Sequence, residues 1–439
     1  MTPNNRDVWR IAAPMILSNV SVPLLGMVDT GVTGHLDDAA YLGAAAVGSA
    51  LFGFLFVGFN FLRMGTTGIA AQRVGSGDHD GLRTSLGQAV ITAMLIAIAL
   101  IALQQPIGRI GLSLLGPDAA VAVHADAYFS IRIWSAPATL ANYVLVGWFI
   151  GLQNARVPLL IVVTTNAINI ALDLIFVLLL GLKVEGVAAA SVIAETSGAL
   201  VGAAYAVREL RRRRGRWRIA ELTRLREYSA FFSINANLFV RTIALVSTFT
   251  FVTAQGARLG GLVLAANAVL MTMQNLTAFA LDGFAHAAEA LVGKAIGGQS
   301  RQAVEAAVRL TLRWSLYVAL VFCLLFAVGG GPLIRLLTDL EEVREVAFRY
   351  LPWMIVSPLV SVWSFLYDGV FVGATRAREM RDIMVGAALV VFLPSWYLLQ
   401  PLGNHGLWLA FILFMAARGI GMHVYYRRRV VPAIAAASG

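Results

Sequence analysis

This 439-residue chain has little charge, little histidine and almost no cysteine. Only 13% of its residues are Asp, Glu, Lys or Arg, it has six histidines, and its single cysteine, Cys323, lies in the apolar run VFCLLF. A soluble protein carries about a quarter charged residues, so this composition excludes an ordinary soluble enzyme and a disordered chain. One cysteine excludes an internal disulfide or a Cys-based metal site. The sequence contains no H-E-x-x-H and no Walker-type phosphate loop, so an intramembrane enzyme or an ATP-driven machine has nothing to be built from. The glycine runs GSG and GGG fall at loops or at the ends of apolar runs and read as turns. No stretch alternates with period two over barrel-strand lengths, which argues against a β-barrel. The chain reads as a protein without a cofactor.

What is present is hydrophobic: 59% of residues are apolar and the mean hydropathy is +0.75. A helix needs about 20 apolar residues to cross the hydrocarbon core. Twelve such spans are predicted, at 10–34, 43–65, 86–104, 127–150, 158–181, 186–207, 229–253, 262–285, 307–328, 347–373, 383–400 and 406–426. The expectation is an all-α polytopic membrane protein. The start, MTPNNRDVWR, leads into the first span with no small-residue cleavage site after it, and reads as part of the mature chain.

The net charge of +10 comes from basic residues in short loops, which marks orientation rather than a nucleic-acid partner. With the N-terminus in the cytoplasm, 23 Lys and Arg fall inside and five fall outside. Both termini are therefore expected on the cytoplasmic side. The run RELRRRRGRWR reads as a linker lying near anionic lipid.

That linker divides the chain into residues 1–207, a linker at 208–227, and residues 228–439, each outer part holding six spans. The halves resemble each other. At an offset of 222 residues, Tyr128, Ile133, Ser135, Gly147, Phe149, Gly151, Ala155 and Arg156 match Tyr350, Ile355, Ser357, Gly369, Phe371, Gly373, Ala377 and Arg378. Shared composition alone would give about two or three matches in such a stretch. Six is an even number, so both halves enter the membrane from the same side. They are expected to form two six-helix lobes related by a pseudo-two-fold axis along the membrane normal, an architecture typical of secondary transporters with a substrate cavity between the lobes.

Acids inside spans are costly and are functional candidates by default. They are Asp29, Asp173, Glu195, Asp282 and Asp368. Asp29, Asn169, Asp173, Ser191 and Tyr128 share one depth in the outer half of the first lobe, with Asn169 and Asp173 on one helix face. Two carboxylates with an amide, a hydroxyl and a phenol suit a proton, and the same oxygens could take sodium. Pro23 removes a helix hydrogen bond six residues before Asp29 and marks a hinge. Asp368, Asp282, Glu195 and Arg241 are secondary candidates, with a structural ion pair to Arg241 as the competing reading. Met27, Phe149, Met273, Trp363 and Tyr367 are candidates for lining a substrate cavity, since Met and aromatic side chains suit adaptable, cation-binding surfaces.

The stretches APMILSNVSVPLLGMVDTGVTGHL, LRMGTTGIAAQ, NAINIALDLIFV, GVAAASVIAE, ALDGFAHAAEALVG and YDGVFVGATRARE resemble the multidrug and toxic compound extrusion (MATE) transporters, in particular their DinF-like branch. The resemblance covers nearly the whole chain. It implies export of amphipathic, often cationic, compounds in exchange for protons or sodium; the expectation is a bacterial inner-membrane protein working as a monomer. It implies cation-site roles for Asp29, Asn169, Asp173, Ser191 and Tyr128, with serine at 191 where the family has threonine. An acidic site in the second lobe, as in another branch, would map to Asp368. A major-facilitator reading lacks its G-x-x-x-D-R-x-G-R-R-like loop, and a flippase for lipid-linked intermediates would need several cavity-lining cations.

Overall fold

The structure is a computed structural model describing residues 2–33, 39–213 and 215–438; the side chains of 24, 27, 29, 30, 33, 39, 225, 227 and 435–438 also lie outside the description. The described residues are overwhelmingly helical, joined by short turns, with no strand among them. The helices are α1 (Asn5–Thr33), α2 (Ala39–Val57), α3 (Phe61–Gly75), α4 (His79–Ala102), α5 (Gln104–Leu115), α6 (Ala119–Arg132), α7 (Ala136–Gly151), α8 (Arg156–Asp173), α9 (Lys183–Arg212) and α10 (Ile219–Thr223). They continue as α11 (Ser229–Arg258), α12 (Gly261–Gly297), α13 (Arg301–Leu337), α14 (Glu341–Gly373), α15 (Ala377–Gly386), α16 (Leu393–Leu398), α17 (Asn404–Tyr425) and α18 (Val431–Ser438). Short 3₁₀ turns join α2 to α3 and α6 to α7, and π turns join α15 to α16 and α17 to α18, so several pairs act as single spans.

Eleven helical segments among the described residues are long and apolar enough to cross a membrane. They correspond to the second through twelfth predicted spans. The first prediction falls on α1, whose distal third carries the undescribed side chains. Helices run past the predicted spans, as in Gly261–Gly297 and Arg301–Leu337, because hydropathy reports the hydrocarbon layer and not the helix ends beyond it.

The chain forms two compact units, Leu17–Phe231 and Met1–Ile16 with Phe232–Gly439. This differs from the division expected at the linker. Residues 1–16 pack with the later unit: Trp9 meets Phe284 and Trp314 edge-on, Arg313 donates to Asn5 Oδ1 at 2.7 Å, and the ideal Cβ of Gly283 would press on Ile16 and the Ala12 carbonyl.

Both units are built around the same internal crossing. In the earlier unit a Cβ on Gly147 would lie 2.3 Å from the Arg63 carbonyl oxygen, and one on Gly151 would meet Thr67 O and Ala71 N, so α7 lies backbone to backbone on α3. In the later unit Gly369 stands against Ala285 O at 2.2 Å, and Gly373 against Glu289 O and Gly293 N. Every one of these pairs is displaced by 222 residues. The turns repeat too: positive φ occurs at Gly77 and Gln299, at Gln153 and Thr375, and at Gly181 and Gly403. Asp78 and Ser300 cap the following helices by accepting from Gly81 N and Ala303 N. Small residues at helix crossings are how membrane helices approach closely where hydrophobic burial gives no net drive.

The arginine-rich segment folds back on the earlier unit. Arg83 donates to the Leu210 carbonyl and, at 2.7 Å, to that of Arg213. Arg216 N donates to Asp80, Gln88 to Glu221 O, and Arg218 pairs with Asp78 at 2.9 Å. Trp217 and Leu222 fill the space beside Gly87. Burial works against the Asp78 charge, but the Gly81 amide, Arg73 and Arg218 outweigh it and hold the carboxyl below its ordinary value.

Two outcomes follow. Gly147→Ala and Gly369→Ala should each lower the thermal midpoint in detergent, by about 1–3 kcal/mol of overpacking, while Gly53→Ala, with nothing near its Cβ, should not. A folded-state carboxyl held low contributes stability above its unfolded value and loses it as pH falls through the folded one. Peptic cleavage between residues 213 and 224 should therefore begin only below about pH 4 in the wild type, and the Asp78→Asn variant should be cut by trypsin in this segment faster than wild type at neutral pH.

Candidate functional site

Within the earlier unit, α8 and α9 lie side by side and present polar residues to each other at helical spacing. Thr165, Asn169 and Asp173 recur every four residues along one face of α8, and Ser191 and Glu195 do so along α9. Asn169 Nδ2 donates to Asp173 Oδ2 at 3.1 Å and reaches Ser191 Oγ at 3.5 Å. All three are buried, Asp173 completely. The sequence prediction thus placed three groups that do meet. The π turn Leu174–Leu179 begins directly after Asp173, a local widening that often accompanies functional positions.

Tyr128 is buried on α6 among Val177, Val184, Val187 and Ala188, one turn of α9 before Ser191, and its hydroxyl shares a 3.1 Å hydrogen bond with Ser49. Gly48 makes room for its ring. Asp29 and Met27 lie on α1, and their side chains are outside the described residues. Pro23 is on the same helix, in which Asn166 of α8 donates to Ser21 O at 3.3 Å and to Ser21 Oγ at 3.0 Å. The sequence did not single out Asn166, Ser49 or Asn142. Asn142 on α7 donates to Glu195 Oε2 at 2.8 Å and to the Glu195 carbonyl at 3.1 Å.

The later unit holds a different arrangement. Asp368 Oδ2 on α14 accepts from Arg241 of α11 and, at 2.8 Å, from Arg418 of α17. Arg418 is 2% exposed and also packs over the Phe414 ring at 5.4 Å. Asp282 on α12 is within electrostatic range of Arg418. The sequence offered Arg241 as an ion-pair partner for Asp282, Asp368 or Glu195 alike; the structure gives it to Asp368 and adds a second arginine. A carboxylate held by two guanidiniums carries its counter-charge already. In the Asn169–Asp173–Ser191 cluster, by contrast, the Asp173 carboxylate accepts from an amide, which also reaches a hydroxyl.

Of the candidate cavity residues, Phe149 is buried in the core of the earlier unit against Trp148, and Met273 is buried in that of the later one. Trp363 packs beside Val362 and Gly419, and Tyr367 is buried with its hydroxyl 2.5 Å from His423 Nδ1. Among the described residues no cluster of His, Cys, Asp and Glu has the form of a metal site.

Removing one member of a buried ion pair leaves an uncompensated charge, at a cost of about 3–5 kcal/mol. Asp368→Asn should therefore lower the amount of folded protein recovered from membranes, and Asp368→Asn combined with Arg418→Met should recover more than Asp368→Asn alone. Equal loss in both would contradict a structural role for this network.

The MatE family model matches the chain twice, at residues 14–175 and 238–398, one copy in each half. DNA damage-inducible protein F of Escherichia coli (strain K12) is 40% identical over 98% of this chain and 93% of its own length. Protein DETOXIFICATION 44, chloroplastic, of Arabidopsis thaliana is 24% identical over 94% and 80%. Among solved structures, a MATE protein in the bent conformation superposes with a TM-score of 0.88 over the full length of both chains at 17% identity. The Vibrio cholerae MATE transporter VcmN in the bent form superposes with 0.86 over 98% and 97% at 20%. The duplicated helical scaffold and these likenesses agree: the chain is a multi-pass membrane transporter, not an enzyme, and belongs to the MatE family of multidrug and toxic compound transporters.

Proposed function

We propose that this transporter exports amphipathic, often cationic, compounds in exchange for protons, and that the exchanging site is the Asn169–Asp173–Ser191 cluster together with Asp29 and Tyr128. The carrying observation is a fully buried carboxylate on a membrane-spanning helix that accepts from the Asn169 amide, which in turn reaches the Ser191 hydroxyl. Burial disfavours the charged form of a carboxyl, so such a group takes up a proton readily and releases it when its surroundings open to water. Asp29, on the helix that contains Pro23, is the second acid assigned to this site. The Pro23 hinge lets α1 respond to that charge. The Asp368 network, neutralised by Arg241 and Arg418, is assigned a structural part.

The basic residues set the orientation. The linker, the 73–83 turn and the 376–381 turn carry the excess of arginine, and we assign them, with both termini, to the cytoplasmic face of a bacterial inner membrane. Asp173, near the opposite end of α8, then faces the side from which protons enter. No cofactor takes part, and a monomer suffices.

The test is ethidium transport in liposomes under a pH gradient or a sodium gradient, applied separately. The expected result is pH-driven transport in the wild type, lost in both Asp29→Asn and Asp173→Asn and retained in Arg418→Lys. Sodium-driven transport alone would transfer the coupling to sodium at the same oxygens. Transport that survives in both carboxamide variants would remove this cluster from the mechanism.

A further inference from the structure

The polar face shared by α8 and α9 does not end at Asp173. One helical turn beyond Ser191, Glu195 lies on the same side of α9, and one turn before Asn169, Thr165 lies on the same side of α8. Asn142 closes the gap from α7. It is 93% buried, donates through Nδ2 to Glu195 Oε2, and leaves its carbonyl oxygen Oδ1 buried without a donor. Thr165 Oγ1 is likewise buried without a partner and stands with Asn142 Nδ2 around the vacant Cβ direction of Gly198. A glycine at 198 is therefore what keeps these groups side by side.

Unmet acceptors are costly in a low-dielectric interior, about 1–3 kcal/mol for each buried group. A carboxylate accepts only, so it cannot supply the donor that Asn142 Oδ1 lacks. A neutral carboxyl can: its hydroxyl is a donor, while its other oxygen keeps the bond from Nδ2. The surroundings complete the picture. Tyr143 of α7 and Arg132 of α6 are within electrostatic range of Glu195, and Arg63 of α3 is within that range of Tyr143. Arg132 makes no ion pair with Glu195 and lies instead over the Phe52 ring at 4.6 Å and the Tyr128 ring at 6.0 Å. The residues of the π turn are apolar, α8 contributes Asp173, and the tyrosine of α2, Tyr41, is bound by Lys183 at the far end of α9.

We propose that Glu195 is a second exchangeable-proton site in the Leu17–Phe231 unit, linked to the Asp173 cluster through the shared α8–α9 polar face and held by Asn142. It is on the linker side of Asp173 along α9. A proton taken up at Asp173 therefore has a second carboxyl one turn further toward the linker end, where its release leaves Glu195 charged and within reach of the Arg132 field. The step transfers one proton from the Asp173 carboxyl to the Glu195 carboxylate and restores the Asp173 carboxylate. This inference deepens the proton reading above and rests on it.

The test is infrared difference spectroscopy of the purified full-length protein between acidic and alkaline pH, in the carboxylic C=O region. The wild type is expected to show at least two titrating carboxyl bands. Glu195→Gln should lose one and keep the one lost in Asp173→Asn, and Glu195→Asp should restore a shifted band. Asn142→Leu should shift the Glu195 band and leave that of Asp173 in place. A Glu195→Gln spectrum identical to wild type would overturn the inference, as would a single band removed by Asp173→Asn alone. Thermal midpoints of the same samples show that each variant is folded. The proton reading fails separately, if wild-type liposomes transport ethidium under sodium and not under a pH gradient.

Discussion

Inside the hydrocarbon layer a polar group must find its partner in the protein, because no water is there to supply one. That constraint organises both units of this chain. It forces the backbone into helices and makes close helix crossings depend on glycine. It also leaves each intramembrane acid with two outcomes, a fixed counter-charge or a proton. The later unit takes the first course, with Asp368 between Arg241 and Arg418. In the earlier unit Asp173 has the amide of Asn169 beside it, and Glu195 the amide of Asn142. One duplicated scaffold thus surrounds its intramembrane acids with guanidiniums in one unit and with amides in the other.

The duplication explains how this came about. The glycine contacts of α7 on α3 recur between α14 and α12, and three positive-φ turns recur at the same spacing. These features fix the backbone and leave the facing side chains free to diverge. At the same offset Asn169 becomes Val391 and Asp173 becomes Ser395, so the later unit keeps the frame without these two polar groups.

Much of this was legible before any coordinates. Spans are readable because hydropathy averages over twenty residues, and the Asn169–Asp173 pair because it sits within one helix at a known spacing. Ser191 was reachable through depth, since span direction orders residues along the membrane normal. The pairings of Asn142 with Glu195 and of Arg418 with Asp368 were not, being 53 and 50 residues apart on different helices. Such meetings depend on how each helix is rotated about its axis, and no local pattern encodes that. The docking of the arginine-rich segment was hidden for a similar reason: Arg83 binds backbone carbonyls, which leave no trace in residue type.

The central claim is that the buried carboxyl chemistry of the earlier unit exchanges a proton for substrate. The most direct measurement is the internal pH of liposomes, read with an enclosed dye, as an ethidium gradient drives the transporter in the absence of any imposed pH gradient. The account predicts a pH change that requires ethidium, persists in sodium-free buffer, and vanishes in Asp173→Asn. Ethidium movement with no accompanying pH change in the wild type would contradict it.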